Sequence, residues 1–472
     1  MAQLPLPGRS GPISQLSQLS DGAAYAIGDL PEAPARVLRA LAGAGHEAVL
    51  VGGCLRDLLL GARPDDWDVA TAALPATVSA LFPGSWWENR FGTVTVPGAQ
   101  PVQVTTYRSE SGYADRRRPD EVTFHGSLRD DLARRDFTIN AVAWLPEAPG
   151  GGTSGRLVDP FDGLVDLRDG VIRAVGDPAA RFAEDALRVL RGVRFALRFG
   201  FRIEAVTEAA LADAAPATAG LSAERVRDEL LRLLADPGIR PTVAFARWEA
   251  LGLLATLLPE LAALRGIPQG KPLPGDALDH TLRTAEALPA SDPILRMAGL
   301  LHDVGKATTF ADGHFYGHEV EGAHTAEAVM RRLRFGAQDV ARVRELIRHH
   351  MFAYEPAWTD AAVRRFIRRV GHERLGDLFA LREADDAGSG AVEPPAGGLP
   401  ELRARIAEQE NAPLAHGHLA VDGHDLQRVL DVPPGPGLGR LLDRLMEEVV
   451  DDPSLNRREM LLRRAGEILA ER

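Results

Sequence analysis

The sequence predicts an α+β protein of several domains: an α/β head, then an all-helical neck, a histidine-bearing helical domain and a helical tail. Three observations carry that reading. The 472 residues allow about three domains at roughly 150 residues each. Short β-type runs are confined to the first third of the chain. From Asp177 onward, apolar residues recur at helical spacing. With 45% hydrophobic and 25% charged residues, the composition is that of a folded chain and excludes disordered or fibrous classes. The single cysteine, Cys54, cannot form an internal disulfide, and no apolar run approaches the roughly 18 residues that cross a bilayer. The first 30 residues lack the apolar core of a signal peptide, so a cytoplasmic protein with no membrane partner is expected.

Taken in order, residues 1–30 read as a loose Gln/Ser/Pro extension. The head, 31–150, carries the β-type runs 48–51, 93–96, 102–106 and 138–142. A glycine cluster at 150–155 and the turn-rich 159–163 lead into the neck, 151–268, where Ser222 stands as an N-cap two residues before Glu224. Residues 268–275, rich in Pro and Gly, read as a linker opening the third domain, 269–390, and a Gly/Pro-rich stretch precedes the tail, 391–472. The formal charge of −12 argues against a protein coated in nucleic acid. Locally the balance reverses: between Arg181 and Arg202, six arginines meet only Glu184 and Asp185, on what reads as one helix.

Two groups of residues carry chemistry. In the first, Val51-Gly-Gly-Cys-Leu-Arg-Asp57 follows a strand and opens a helix, so backbone N–H groups can approach phosphates. Asp66 and Asp68 follow, two residues apart, and on a strand they face the same way. Two such carboxylates can share divalent metals, which activate a hydroxyl and stabilise a leaving phosphate. In the second, His280, His302-Asp303, His318, His324, His349-His350 and Asp385-Asp386 recur in order, and more than half of the 13 histidines lie between His280 and His350. Imidazole with carboxylate is a donor set for a divalent transition metal.

The first group resembles the polymerase-β nucleotidyltransferase superfamily, and within it the class II tRNA nucleotidyltransferase and poly(A) polymerase family. Further segments match in the family's order: Leu132 to Ala141, Asp159 to Gly163, Arg181 to Arg191 and Leu221 to Arg225. The second group resembles the HD phosphohydrolase superfamily. The resemblance implies a polymerase-β-like head in which Asp66 and Asp68 hold Mg²⁺, with Gly52, Gly53 and Arg56 near the incoming triphosphate. It implies Arg135 and Asp136 at the phosphates and ribose, and Asp185 and Arg188 reading the base. A carboxylate plus a guanidinium complements the amino donor and ring acceptors of both cytosine and adenine. Arg191, Arg194 and Arg198 would contact RNA. In the HD domain the implied ligands of a divalent transition metal are His280, His302, Asp303 and Asp385, with His318 and His349 available for a second metal.

The family often places a third acid where this chain has Gln103. The loop 109–119, linked in the family to switching from C to A, is present at full length, which disfavours a CC-only enzyme. The expected partners are the tRNA 3′ acceptor end and CTP and/or ATP; the oligomeric state is left open. The alternatives are a poly(A) polymerase on the same scaffold and an HD phosphohydrolase whose head binds RNA.

Overall fold

The computed structural model describes residues 16, 19–28, 30–87, 92–111, 121–124, 126–147, 152–390, 398–409 and 412–471. They form two compact units, Met1–Pro259 and Glu260–Arg472. Among the described residues no helix is long and apolar enough to cross a membrane.

The first unit is built on a mixed sheet. Its strands are β1 (Ala24–Ala26), β2 (Ala48–Val51), β3 (Trp67–Thr71), β4 (Trp86–Trp87), β5 (Thr93–Val96), β6 (Val102–Thr106), β9 (Ala143–Pro146) and β10 (Ser154–Val158), while β7 (Arg108–Ser111) and β8 (Glu121–Phe124) make a separate hairpin. The order is β1-β10-β9-β2-β3-β6-β5-β4. Central β2 reads Ala-Val-Leu-Val and is buried on both faces, as a strand covered on both sides must be. Beside it β3 runs antiparallel to β2 and parallel to β6, with Asp68 in register with Gln103.

Three readings change here. Residues 24–26, read as part of a loose extension, are an edge strand paired with β10, and the buried Trp144 indole N–H donates to the Tyr25 carbonyl at 2.9 Å. The run 138–142 is not a strand: Thr138–Asn140 is a 3₁₀ turn and β9 starts at Ala143. Thr138 donates its hydroxyl to Asp166 and Asn140 donates its amide to Asp136, so polar side chains hold the segment and override its β-branched composition. Finally, 181–202 is not one helix. Pro178–Glu184 ends before Asp185, whose backbone is extended, and Leu187–Phe199 begins after it. The Asp185 carboxylate accepts the Leu187 N–H at 3.0 Å and so starts the second helix.

The loop 109–119 falls largely on 112–120, outside the described residues. Ser222 does sit at the N-cap of Ala223–Ala235, but its hydroxyl makes no capping bond.

In the second unit, helices Ala277–Ala287, Pro293–Leu301, His318–Arg332, Ala337–His349 and Leu375–Ser389, with the residues just after the second and fourth of them, carry the histidines and aspartates. The helices Gly423–Leu430, Pro436–Asp451 and Arg458–Ala470 close around Leu426, Leu445, Met446, Val449 and Ala465, a separate apolar core for the tail.

Candidate active site and metal centre

In the first unit β2 ends at Val51, and Gly52 turns the chain into the helix Gly53–Leu59 with φ +79°. That left-handed conformation favours glycine, and so does the space: a Cβ at Gly52 would lie 2.8 Å from Arg135 Nη1 and 3.5 Å from Asp68 Oδ2. Gly52, Asp68 and Arg135 therefore meet at one point. Asp66 is exposed on the bend just before β3, and Asp68 is partly buried within it. Burial and the Asp66 charge together push the Asp68 carboxyl up to about 6, against the pull of Arg135, Arg56 and Arg191. A buried carboxyl raised in this way beside a second carboxylate fits a divalent cation, which would lower it. Gln103, not a third acid, stands beside Asp68 on β6.

The segment after β8 supplies the cations. Arg135 donates to the buried Asp131 at 3.1 Å, and its Nε is buried with no partner among the described residues. Burial alone would raise Asp136; Arg191 and the Asn140 amide overturn that and hold it well below the usual carboxylate range. Arg56 is buried, donates to Asp57 and to Asn140, and lies 4.7 Å over the Phe199 ring, so internal partners fix its position.

Asp185 and Arg188, expected to read the base side by side on one helix, are each held by other residues. Arg225 grips Asp185 through both nitrogens, at 2.9 and 2.6 Å. Arg188 donates to Glu184 at 2.6 Å and to the Arg181 and Arg134 carbonyls at 2.9 Å. Arg225 closes the segment Leu221 to Arg225, and 40 residues separate it from its partner. The basic stripe is also less free than its count suggested. Arg191 pairs with Asp136 at 2.8 Å, Arg194 is buried against Glu229 at 2.7 Å, and Arg198 faces Asp236 at 3.6 Å. The acids that neutralise the last two come from a different helix and its C-terminal cap, so a window along one segment could not find them.

In the second unit His280, His302, Asp303 and Asp385 converge. His280 Nε2 lies 3.2 Å from His302 Nε2, 3.4 Å from Asp303 Oδ2 and 3.0 Å from Asp385 Oδ1, and His302 Nε2 lies 3.2 Å from Asp303 Oδ2. His302 Nε2 lies 3.9 Å from Asp385 Oδ1, so His280, His302 and Asp303 form the tight group, with Asp385 beside His280. A second group, Asp303, His318 and His350, meets the first through the other Asp303 oxygen, at 3.4 and 3.9 Å.

His302, His318 and His350 each place Nδ1 at 2.7–2.8 Å from a backbone carbonyl three residues earlier, which leaves Nε2 facing Asp303. The Nε2 atoms of His318 and His350 are buried without a hydrogen bond among the described residues, which suits them to a cation. Burial and the nearby His302 push His350 down to about 3. His349, expected at the second metal, points away and faces Glu345 at 3.6 Å, because the next residue along a helix turns by about 100°. His324 is exposed.

Sequence reasoning missed Lys271 and Lys306. The segment 268–275, read as a linker, carries the Lys271 ammonium to 2.9 Å from His280 Nε2 and 3.1 Å from Asp385 Oδ1. Lys306 donates to Asp303 Oδ2 at 2.6 Å. A signal was present: these are the only two lysines among 54 basic residues.

The fold and these two sites define a nucleotidyltransferase joined to an HD domain. The families matched are the poly A polymerase head domain over 48–173, the probable RNA and SrmB-binding site of polymerase A over 200–264, and the HD domain over 277–387. A CCA-adding enzyme of Limosilactobacillus fermentum is 34% identical over 445 residues, 92% of this chain and 97% of that protein. One from Lactiplantibacillus plantarum is 47% identical over 200 residues, 42% of this chain; that match spans about half of the relative, 47%. The crystal structure of the Bacillus stearothermophilus CCA-adding enzyme in complex with CTP is 30% identical with a TM-score of 0.68, over 93% of this chain and 98% of that one. The chain belongs to the family of CCA-adding enzymes, which are tRNA nucleotidyltransferases.

Proposed function

We propose that this chain completes the 3′ end of tRNA by adding C and A from CTP and ATP in the cytoplasm. The observation that carries the reading is the meeting of Gly52, Asp68 and Arg135: a phosphate-accessible backbone turn, a metal-binding carboxylate and a guanidinium at one point. The full-length relatives named CCA-adding enzymes support it. Asp66 and Asp68 would hold Mg²⁺, whose chemistry when bound is to neutralise the triphosphate and favour the ionised 3′-hydroxyl. Arg135 orients the phosphates, and Asp136, fixed by Arg191, receives the ribose. The tRNA 3′-oxygen attacks the α-phosphate, a new P–O bond forms, and the bond to pyrophosphate breaks.

Asp185 and Arg188 present the carboxylate and guanidinium that complement cytosine and adenine. Each Asp185 oxygen that accepts from Arg225 keeps a lone pair for a base amine. Arg198, the most exposed of the three neck arginines, is the one best placed to meet RNA. The test is extension of tRNAs ending before CCA, at C and at CC, with CTP and ATP separately and together. Completion from the bare end is expected; one A on the CC end alone would mark an A-adding enzyme, and a long tail from ATP alone a poly(A) polymerase.

A second activity is favoured by the His280–His302–Asp303 cluster: metal-dependent phosphoester hydrolysis in 269–390, with a divalent transition metal held by His280, His302, Asp303 and Asp385. Phosphate release from a 2′,3′-cyclic phosphate, abolished by His302→Ala, is the expected result.

A further inference from the structure

The two lysines of this chain are both at the HD cluster, in a protein that uses arginine at every other basic position. Their charges balance it. Asp303 and Asp385 are buried carboxylates, and the two ammonium groups that touch them are Lys306, at 2.6 Å, and Lys271, at 3.1 Å. The two ammoniums and the two carboxylates balance one another without any metal.

The Lys271 ammonium lies 2.9 Å from His280 Nε2 and 3.1 Å from Asp385 Oδ1, so it stands against two of the atoms that would bind a metal. A metal bound to those two atoms would stand about 2 Å from each, too close to an ammonium that touches both. A dication added to the balanced cluster would also leave a buried surplus of two positive charges.

The lysines differ in how they are held. Lys306 is nearly buried at 7% side-chain exposure and sits on the helix Lys306–Thr309. Lys271 is 23% exposed and lies in the irregular segment 268–275, directly after Gly270, whose φ of +61° redirects the chain inward. The segment is pinned on the far side by the Leu273 N–H, which donates to the Ser389 carbonyl at 3.1 Å. Lys271 can leave for water by a few side-chain rotations; Lys306 cannot.

We infer that Lys271 is a built-in cation of the HD site: it occupies the donors of His280 and Asp385 when no metal is bound, and a divalent metal must displace it to enter. This rests on the HD metal reading given above. Its consequence is a domain that stays ordered without metal and takes metal up weakly. A compact ammonium suits that role better than a planar guanidinium, which explains why arginine is replaced here.

The test uses the full-length protein, Co²⁺ and Zn²⁺ as probes, and the variants Lys271→Met and Lys271→Gln. Metal content after dialysis, Co²⁺ visible absorption, calorimetric Kd and the unfolding midpoint in chelator are read for each. Both variants are expected to bind Co²⁺ at least about tenfold more tightly than the parent, with a lower midpoint in chelator that metal restores. Near-UV circular dichroism with Co²⁺ bound confirms that they are folded. Equal Kd values in parent and variants would overturn the role of Lys271 while leaving the metal site standing. Metal uptake no greater than in His302→Ala, for parent and variants alike, would overturn the metal reading and the inference with it.

Discussion

The two clusters of acids in this protein are balanced in opposite ways. In the first unit Asp66 lies exposed, and burial with the Asp66 charge pushes Asp68 up to about 6 although three arginines stand near. In the second unit Asp303 and Asp385 are more deeply buried, yet both are held well below the usual carboxylate range: burial alone would raise them, and imidazoles and ammoniums reverse it. One centre is left short of positive charge, the state of a site whose ligand brings its own cations. The other carries its counter-ions within the fold. The difference teaches that burial alone does not mark a metal centre; what matters is whether the protein has already supplied the compensating charge.

The largest expected effect separates the centres. Asp66→Ala or Asp68→Ala should reduce nucleotide addition by at least about 10²–10³-fold while leaving Co²⁺ uptake by the HD cluster unchanged; primer extension and metal analysis on the same preparation read both. Loss of both properties together would break the comparison. Next comes Arg225→Ala, which frees Asp185 from its bidentate grip. Discrimination of CTP and ATP against UTP and GTP should fall about 10–100-fold, with addition from CTP less affected, in steady-state kinetics with each triphosphate.

A smaller effect sharpens the electrostatic half. The folded Asp68 carboxyl titrates near 6, above its unfolded value of about 3.9, so its ionised form disfavours the folded state above pH 6. Wild-type stability in chelator should rise as pH falls from about 6 to 4, where the native state binds the extra proton. Asp68→Asn removes that charge, and should be about 1–3 kcal/mol more stable at pH 8, an advantage that fades below pH 6. Denaturant titration at pH 8 and pH 5 measures it. Higher stability with lost activity is the trade expected of a functional carboxylate.

What the sequence made legible was chemistry carried by neighbours in the chain. Gly52-Gly53 and His302-Asp303 were each readable because a strand end or an adjacent pair puts the groups together, whereas Asp66 lies on the bend before β3 and not on the strand that was expected to carry it with Asp68. What it concealed was compensation over long separations: Arg225 on Asp185, Glu229 on Arg194 and Lys271 on Asp385, 114 residues apart. The apparent +4 of the arginine stripe dissolves for this reason. The run 138–142 failed differently, because side-chain bonds from Thr138 and Asn140 outweighed β propensity.

The smallest effect tests the finest of these distinctions, between two adjacent histidines. His349 is the last residue of the helix Ala337–His349, faces Glu345 and is 16% exposed; His350 is the next residue, 2% exposed, with Nε2 turned to Asp303. A partly exposed imidazole pair contributes little, so His349→Ala should change stability by less than about 0.5 kcal/mol and leave the metal content as it was. His350→Ala removes a side chain held neutral at pH 7 and hydrogen-bonded to the Ile347 carbonyl. It should abolish any second equivalent of Co²⁺ while the first, on His280, His302, Asp303 and Asp385, remains. If His349→Ala instead removed metal, the helix end would have to rotate by most of a residue in solution. Asp303 would then bridge to a different imidazole from the one that now faces it.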